Sequence, residues 1–139
     1  MELAESGRMG ADAQNLTGVW QGLYTYPNGE SASFVATLID SSGALSGSTH
    51  EPCARAVSSN GTLYATLAGN RNGSAVSFRK IYDGRVPHYH AVDYAGTLNA
   101  DATEVEGRWV IPGVWSGKFL MIRPARKEES VERKVAQRA

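Results

Sequence analysis

Two of the three histidines in this 139-residue chain lie two residues apart, in the segment VPHYH at 86–90. Side chains at positions i and i+2 point to the same face of a β-strand, so His88 and His90 resemble half of a zinc ligand set. A third ligand would come from His50 or Glu51. The alternative is a histidine pair that hydrogen-bonds to its neighbours at a loop end. We favour this alternative because no cysteine cluster accompanies the pair, and we predict neither a metal nor another cofactor.

A lysine provides the second candidate chemistry. The runs on either side of the turn DGRVP alternate between apolar and polar residues. If Tyr82 pairs with His88 in an antiparallel hairpin, Lys80 lies opposite His90 on the inner face. Such a pair would attract an anionic group, or it would act as an acid–base pair in an enzyme, since burial beside a cation lowers the pKa of a lysine. In the alternative interpretation, which we favour, Lys80 reaches from the rim into water with its stem along apolar neighbours.

Aromatic residues and one carboxylate complete the candidate site. Several aromatic side chains share the inward phase of their runs, where they would either line a flat ligand or fill a small core. The ligand-binding residues predicted from the sequence are Lys80, His90, Tyr82, Tyr24, Tyr94, Trp109, Phe119 and Glu51. No catalytic residue is assigned, because no nucleophile motif accompanies them.

The elements that must position these residues are β-strands. Short runs rich in Val, Ile, Thr, Tyr, Phe and Trp alternate with Gly, Asn, Asp and Pro, which is typical of strands and turns. The links are too short for crossover helices, so neighbouring strands are antiparallel. The fold class is therefore all-β, an eight-stranded antiparallel up-and-down barrel, because closure removes exposed sheet edges. The predicted strands are 17–26, 31–40, 44–51, 62–70, 74–82, 88–98, 103–111 and 115–123.

The chain divides into three regions. Residues 1–15 are predicted to form a flexible N-terminal lead-in, residues 16–124 the β-barrel domain, and residues 125–139 a charged C-terminal tail. The tail would be either a helix that packs on the barrel through Val131 and Val135 or a solvated extension.

The composition excludes some classes of partner. Lys+Arg and Asp+Glu both number 14, so the formal net charge is zero. This balance argues against a nucleic-acid-binding protein and against a polybasic membrane anchor. Cys53 is the only cysteine, and we see no signal-peptide pattern or membrane-spanning apolar run. We therefore expect a cytoplasmic protein.

Segments at both ends of the barrel region carry a family resemblance. The tripeptide GVW at 18–20 lies on the first predicted strand, and Arg123 ends the last. A G-x-W motif with a basic residue packed over its Trp resembles the calycin superfamily, which contains lipocalins, fatty-acid-binding proteins and avidins. The order and lengths of the predicted strands are most similar to those of avidin and streptavidin, and Trp109 and Trp115 are counterparts of avidin tryptophans. The segments that carry this similarity are GALSGSTHE, GSAVSFRKIY, VDYAGTL, EVEGRWVI and WSGKFLMIR. The last strand lacks the acidic or amide residue expected near its middle for the biotin ureido group, so the resemblance implies a barrel and does not imply biotin.

These observations favour a non-enzymatic protein that binds a small, partly apolar molecule, anionic in one version, inside the barrel. Two alternatives stay open: a barrel enzyme that uses Lys80 and His90, with or without a metal, and a filled structural module that assembles through its outer face. Four apolar residues predicted to point outward suit the structural module: Val35, Ile39, Leu120 and Ile122. Because two-fold dimers are the commonest assemblies, a homodimer is the expected oligomeric state.

Overall fold

The computed structural model describes residues 14–52, 61–83 and 91–125. No helix occurs in this part of the chain, so none is long and apolar enough to cross a membrane. The predicted lead-in lies almost wholly outside the described residues, as do residues 126–139 of the tail. The strands are β1 Gly18–Thr25, β2 Ser31–Ser41, β3 Ala44–Pro52, β4 Thr62–Asn72, β5 Ala75–Tyr82, β6 Val92–Leu98, β7 Glu104–Ile111 and β8 Trp115–Ile122.

The eight strands form a closed antiparallel barrel. Each strand pairs with the next along the chain, and β8 pairs back with β1. The predicted fold class is therefore confirmed, and seven of the eight strands lie within two residues of their predicted bounds. Turn chemistry explains this agreement: Ser42 and Gly43, for example, both have positive φ, 52° and 95°, which matches the twist of a tight hairpin.

The pairing of β5 with β6 differs from the predicted hairpin. Lys80 pairs with Val92, not with His90, so the predicted cross-strand Lys80–His90 pair is wrong. The observed register is shifted by two residues from the predicted one. Periodicity fixes the face of a residue but not its partner. The shift is an even number of residues, so the inward phase is unchanged.

The predicted inward phase is confirmed in each strand by alternating burial. Inward glycines allow large side chains to cross the barrel. A Cβ on Gly22 would overlap the ring of Phe34, and one on Gly117 would overlap both the carbonyl of Thr25 and the indole of Trp109. These two glycines are therefore required for the positions of two interior aromatic rings.

One end of the barrel is closed by the segment that precedes β1. Trp20 and Leu16 are fully buried, and the indole N–H of Trp20 donates to the Leu16 carbonyl at 2.9 Å. The guanidinium of Arg123 lies 4.3 Å from the Trp20 ring centroid, as the resemblance implies. The same guanidinium donates to three backbone carbonyls, those of Ala102, Thr17 and Asn15. We call this the closed end.

A buried carboxylate that the sequence interpretation missed also stabilises the closed end. Asp40 accepts hydrogen bonds from the backbone N–H groups of Leu16 and Gly43 and from Arg71 Nε. Burial alone would raise the pKa of Asp40, but these hydrogen bonds, above all that from Arg71, hold it below its ordinary value. Asp40 thus ties the N-terminal segment to the β2–β3 turn.

Candidate functional site

A buried ion pair lies toward the opposite end of the barrel. Lys80, on β5, is fully buried, and Glu51, near the end of β3, is 4% exposed. Lys80 Nζ lies 3.3 Å from Glu51 Oε1. The interpretation in which Lys80 reaches into water is therefore wrong. Removing both charges from water is costly and is repaid only by good partners, so the groups around the pair decide what it can do.

Two tyrosine hydroxyls hold the carboxylate of this pair. Tyr24 donates to Glu51 Oε2 at 2.5 Å, and Tyr82 donates to Oε1 at 3.0 Å. A third phenol extends this series of hydrogen bonds toward the surface, because the hydroxyl of Tyr26 donates to that of Tyr24 at 3.4 Å. Both oxygens of Glu51 thus accept hydrogen bonds inside the barrel, and we call Lys80, Glu51, Tyr24 and Tyr82 the polar network.

Aromatic rings surround the ammonium group of Lys80. Its Nζ lies between 4.8 and 5.3 Å from four ring centroids, within the range of cation–π attraction. The rings are those of Tyr24, Phe34, Tyr82 and Tyr94. Four rings and one carboxylate therefore form a cage that stabilises a single positive charge.

Burial shifts the titration of several groups in this cage. It lowers the pKa of Lys80, although the carboxylate of Glu51 opposes the shift. It raises the pKa of Tyr24, Tyr82 and Tyr94 above the ordinary value, and the charge of Glu51 adds to the shift in each case. The phenols therefore stay protonated as donors at neutral pH.

An aromatic cluster connects the polar network to the surface. Trp115 is 41% exposed, and its ring centroid lies 5.0 Å from that of the half-buried Tyr26. Tyr26 contacts Trp109 edge-on at 5.6 Å and Tyr24 at 5.4 Å. The Trp109 indole N–H donates to the Thr25 carbonyl at 3.0 Å, which fixes this ring. We call Tyr26, Trp109 and Trp115 the mouth cluster.

One buried hydroxyl beside the network has no hydrogen-bond partner within the described part of the chain. Thr49 is 2% exposed, and its Oγ1 makes no hydrogen bond. It lies on the inner face of β3 two residues before Glu51, between Ala36 of β2 and Ala65 of β4. Ala65 also pairs with Tyr82, so Thr49 and Tyr82 flank the same small residue on the inner wall. Buried hydroxyls normally have a partner, so this one indicates where a polar atom would bind.

The structure brings most of the predicted site residues together. Lys80, Glu51, Tyr24, Tyr82 and Tyr94 all belong to the cage. Of the other predicted residues, Trp109 lies in the mouth cluster, and Phe119 lies in the core, where it contacts Tyr94 and Phe78. His90 lies outside the described residues.

Three residues were missing from the predicted site, namely Phe34, Tyr26 and Trp115. Tyr26 shares the inward phase of Tyr24, and Trp115 shares that of Phe119, whereas Phe34 lies on the inward phase of β2, from which no residue was chosen. The phase was thus the signal that could have found them.

Metal ligation finds no support within residues 14–52, 61–83 and 91–125. This part of the chain contains no group of three or more His, Cys, Asp and Glu side chains that could hold an ion. His50 is exposed and lies against the Tyr64 ring, on the opposite face of β3 from Glu51. His88 lies outside the described residues.

Comparison with known proteins gives no match: no protein-family model, no curated protein and no solved structure resembles this chain significantly.

Proposed function

We propose that this barrel binds a small, partly apolar molecule that enters at the mouth cluster and exchanges hydrogen bonds with the polar network. One observation carries the proposal. A continuous series of contacts runs from the exposed Trp115 through Tyr26 and Tyr24 to the buried Glu51. Aromatic walls with a few convergent polar groups are the usual composition of small-molecule sites.

The location of the site at this end follows from the closure of the other. Leu16, Trp20 and Arg123 fill the closed end, so a ligand would approach from the mouth cluster. A purely structural barrel would have apolar side chains in place of the ion pair, since a well-packed apolar replacement is often as stable or more so. Exceptions to the hydrophobic rule of this kind occur mainly at functional sites.

The charge balance favours a neutral ligand over an anionic one. Lys80 and Glu51 already neutralise each other, so the pair has little net attraction for an added anion. A flat ligand would stack on Tyr26 and Trp115 and direct a hydrogen-bond donor, such as an amide N–H, toward the phenol oxygens of Tyr26 and Tyr82, whose own protons are donated to Tyr24 and Glu51.

Ligand-detected NMR tests this proposal directly. A library of neutral aromatic fragments with carbonyl or amide groups would be screened by saturation transfer against the wild-type protein. We expect hits whose signal is lost in Trp115→Ala and Tyr26→Ala and retained in Ile81→Ser, a control at an exposed residue on the outer face of β5. Hits that bind the two mouth variants as well as the wild type would contradict the proposal.

The resemblance to calycins supports the same function at a coarser level. Arg123 stacks on Trp20 of a G-x-W motif at the closed end of an eight-stranded barrel, the arrangement that the resemblance implies. We infer that the chain is a calycin-like barrel, and the single cysteine favours a cytoplasmic location.

The outer face of the barrel favours a second candidate function, self-association. Val19, Leu23, Ile39 and Ile122 on adjacent strands are each 44–55% exposed, and exposed apolar patches mark interaction surfaces. A homodimer through β1, β2 and β8 is the expected form. Sedimentation of the wild type and of a Val19→Ser, Ile122→Ser double variant tests it: dimers only in the wild type support it, and monomers in both contradict it.

A further inference from the structure

We propose that Lys80 forms an imine with a ligand that carries an aldehyde, so that the ligand class is an aromatic or apolar aldehyde. This inference deepens the proposed function and rests on it. It follows from the position of the only amine in the cage, 3.3 Å from a carboxylate and enclosed by four rings.

The cage is suited to the product as well as to the free amine. The reaction converts an ammonium and an aldehyde into a protonated imine and one water molecule, R–NH₃⁺ + O=CHR′ → R–NH⁺=CHR′ + H₂O. The positive charge stays on the same nitrogen, so Glu51 and the four rings keep their partner after the ligand is attached. A site that stabilises one buried cation therefore stabilises both ends of the reaction.

Each proton in the reaction has a place to go. Glu51 accepts a proton from the ammonium, and the neutral amine attacks the carbonyl carbon. The carbonyl oxygen takes up that proton to give a carbinolamine. Glu51 then takes the second amine proton and passes it to the hydroxyl group of the carbinolamine. The nitrogen lone pair expels this group as water, which leaves the protonated imine. No electrons are transferred to an outside oxidant or reductant.

Two further features support this assignment. Burial lowers the pKa of Lys80, which increases the fraction of neutral amine that can attack. The unpartnered hydroxyl of Thr49 points into the same interior, two residues from Glu51 on β3. It would bind the oxygen of the carbonyl or of the carbinolamine. This gives a chemical role to a buried hydroxyl that has no other hydrogen bond among the described residues.

Access to Lys80 requires the rings at the mouth to separate, because the amine is fully buried. Binding at the mouth must therefore precede the reaction. The labelling rate of Lys80 should saturate as the aldehyde concentration rises, whereas labelling of an exposed lysine should rise linearly. This kinetic difference separates a ligand site from ordinary amine reactivity.

The test uses 2-naphthaldehyde with sodium cyanoborohydride, which reduces an imine to a stable secondary amine, followed by peptide mass mapping. 2-Naphthylmethanol, which has the same rings and no carbonyl, serves as the competitor. In the wild type we expect saturable labelling of Lys80 that the alcohol inhibits. Lys118→Arg, an exposed control on β8, should behave like the wild type, and Lys80→Arg should lose only the inhibitable adduct.

A second variant reports on Thr49. Thr49→Val removes the hydroxyl at almost constant shape, so the fold should be retained. We expect the Lys80 labelling efficiency to fall about fivefold, the effect of losing one ordinary hydrogen bond. Unchanged labelling of Lys80 in this variant would overturn the role of Thr49.

The indole N–H signals of Trp109 and Trp115 distinguish the two ways of failing. If the aldehyde shifts these signals but Lys80 stays unlabelled, imine formation is overturned and the binding function stands. If the aldehyde neither shifts the signals nor labels Lys80, while exposed lysines react, the inference is overturned together with binding of this ligand class.

Discussion

Replacing Glu51 with glutamine leaves the buried ammonium of Lys80 without its counter-charge. At the observed separation of 3.3 Å, a pair of unit charges interacts by about 5 kcal/mol at an effective dielectric constant of about 20. Breaking a buried ion pair by removing one partner costs about 3–5 kcal/mol. We therefore expect Glu51→Gln to lose about 3–5 kcal/mol of unfolding free energy at pH 7.

The loss should shrink as the pH rises. Without Glu51, the folded-state pKa of Lys80 falls further below the unfolded value of about 10.4, so the unfolded state binds more protons and stability increases with pH. Lys80 can avoid the penalty of an unpaired charge by losing its proton, which costs about 4.6 kcal/mol at pH 7 and about 2 kcal/mol at pH 9. The penalty therefore cannot exceed these values. The variant should thus recover about 1–3 kcal/mol between these two pH values.

Urea denaturation followed by tryptophan fluorescence at pH 7, 8 and 9 measures both effects. Asp93→Asn is the control, because it removes the carboxylate of an exposed ion pair with Arg79 and should change stability little. A Glu51→Gln, Lys80→Met double variant, which removes both charges, should regain much of the lost stability. A Glu51→Gln loss no larger than that of Asp93→Asn, or one that is constant from pH 7 to 9, would mean that Glu51 does not stabilise a buried ammonium group.

Three further predictions follow from the same structure. Tyr24, Tyr82 and Tyr94 have folded-state pKa values above that of an unfolded tyrosine, so the protein should lose stability above about pH 10. Absorbance at 295 nm should show that these three phenols ionise only on unfolding. Full ionisation of the tyrosines in the folded protein would contradict this prediction. Arg123→Ala removes three hydrogen bonds and a cation–π contact at the closed end. It should lower the unfolding free energy measured in urea by about 3 kcal/mol. A loss below about 1 kcal/mol would show that other contacts stabilise the closed end. Gly117→Ala places a Cβ against Trp109 and the Thr25 carbonyl. It should lower the unfolding free energy by about 2 kcal/mol and shift the NMR signal of the Trp109 indole N–H. An unshifted signal would mean that the strand moves to make room for the methyl group.

The sequence was sufficient for the strands and for their inward faces. Period-two alternation specifies the face of each side chain, and turn residues specify where strands end, so the inward phase that contains Lys80 and Glu51 was identified. The favoured interpretation, in which Lys80 reached from the rim into water, was wrong because Lys80 is fully buried. Alternation does not specify which inward residues meet across the interior. That depends on barrel closure and on pairing register, which is why Lys80 was predicted to face His90 and instead contacts Glu51.

The other residues that the sequence analysis missed also make contacts that form only in the closed barrel. Asp40 and Arg71 lie near the ends of β2 and β4, where a charged residue usually points into water, and only the closed end brings them together. Tyr26 and Trp115 lie at strand edges, where the phase is easily discounted as part of a turn. Their contact at 5.0 Å joins the first strand to the last, which no local pattern encodes.

The indole N–H signals of the tryptophans report directly on whether a ligand binds at the mouth cluster. The chain has three tryptophans: Trp109 and Trp115 at the mouth, and Trp20 at the closed end with its N–H bonded to Leu16. In a ¹⁵N-edited titration with a fragment found by screening, we expect the Trp109 and Trp115 signals to shift in a saturable way while that of Trp20 stays in place. A fragment that shifts Trp20 as much as the other two, or that binds without moving either mouth signal, would contradict it.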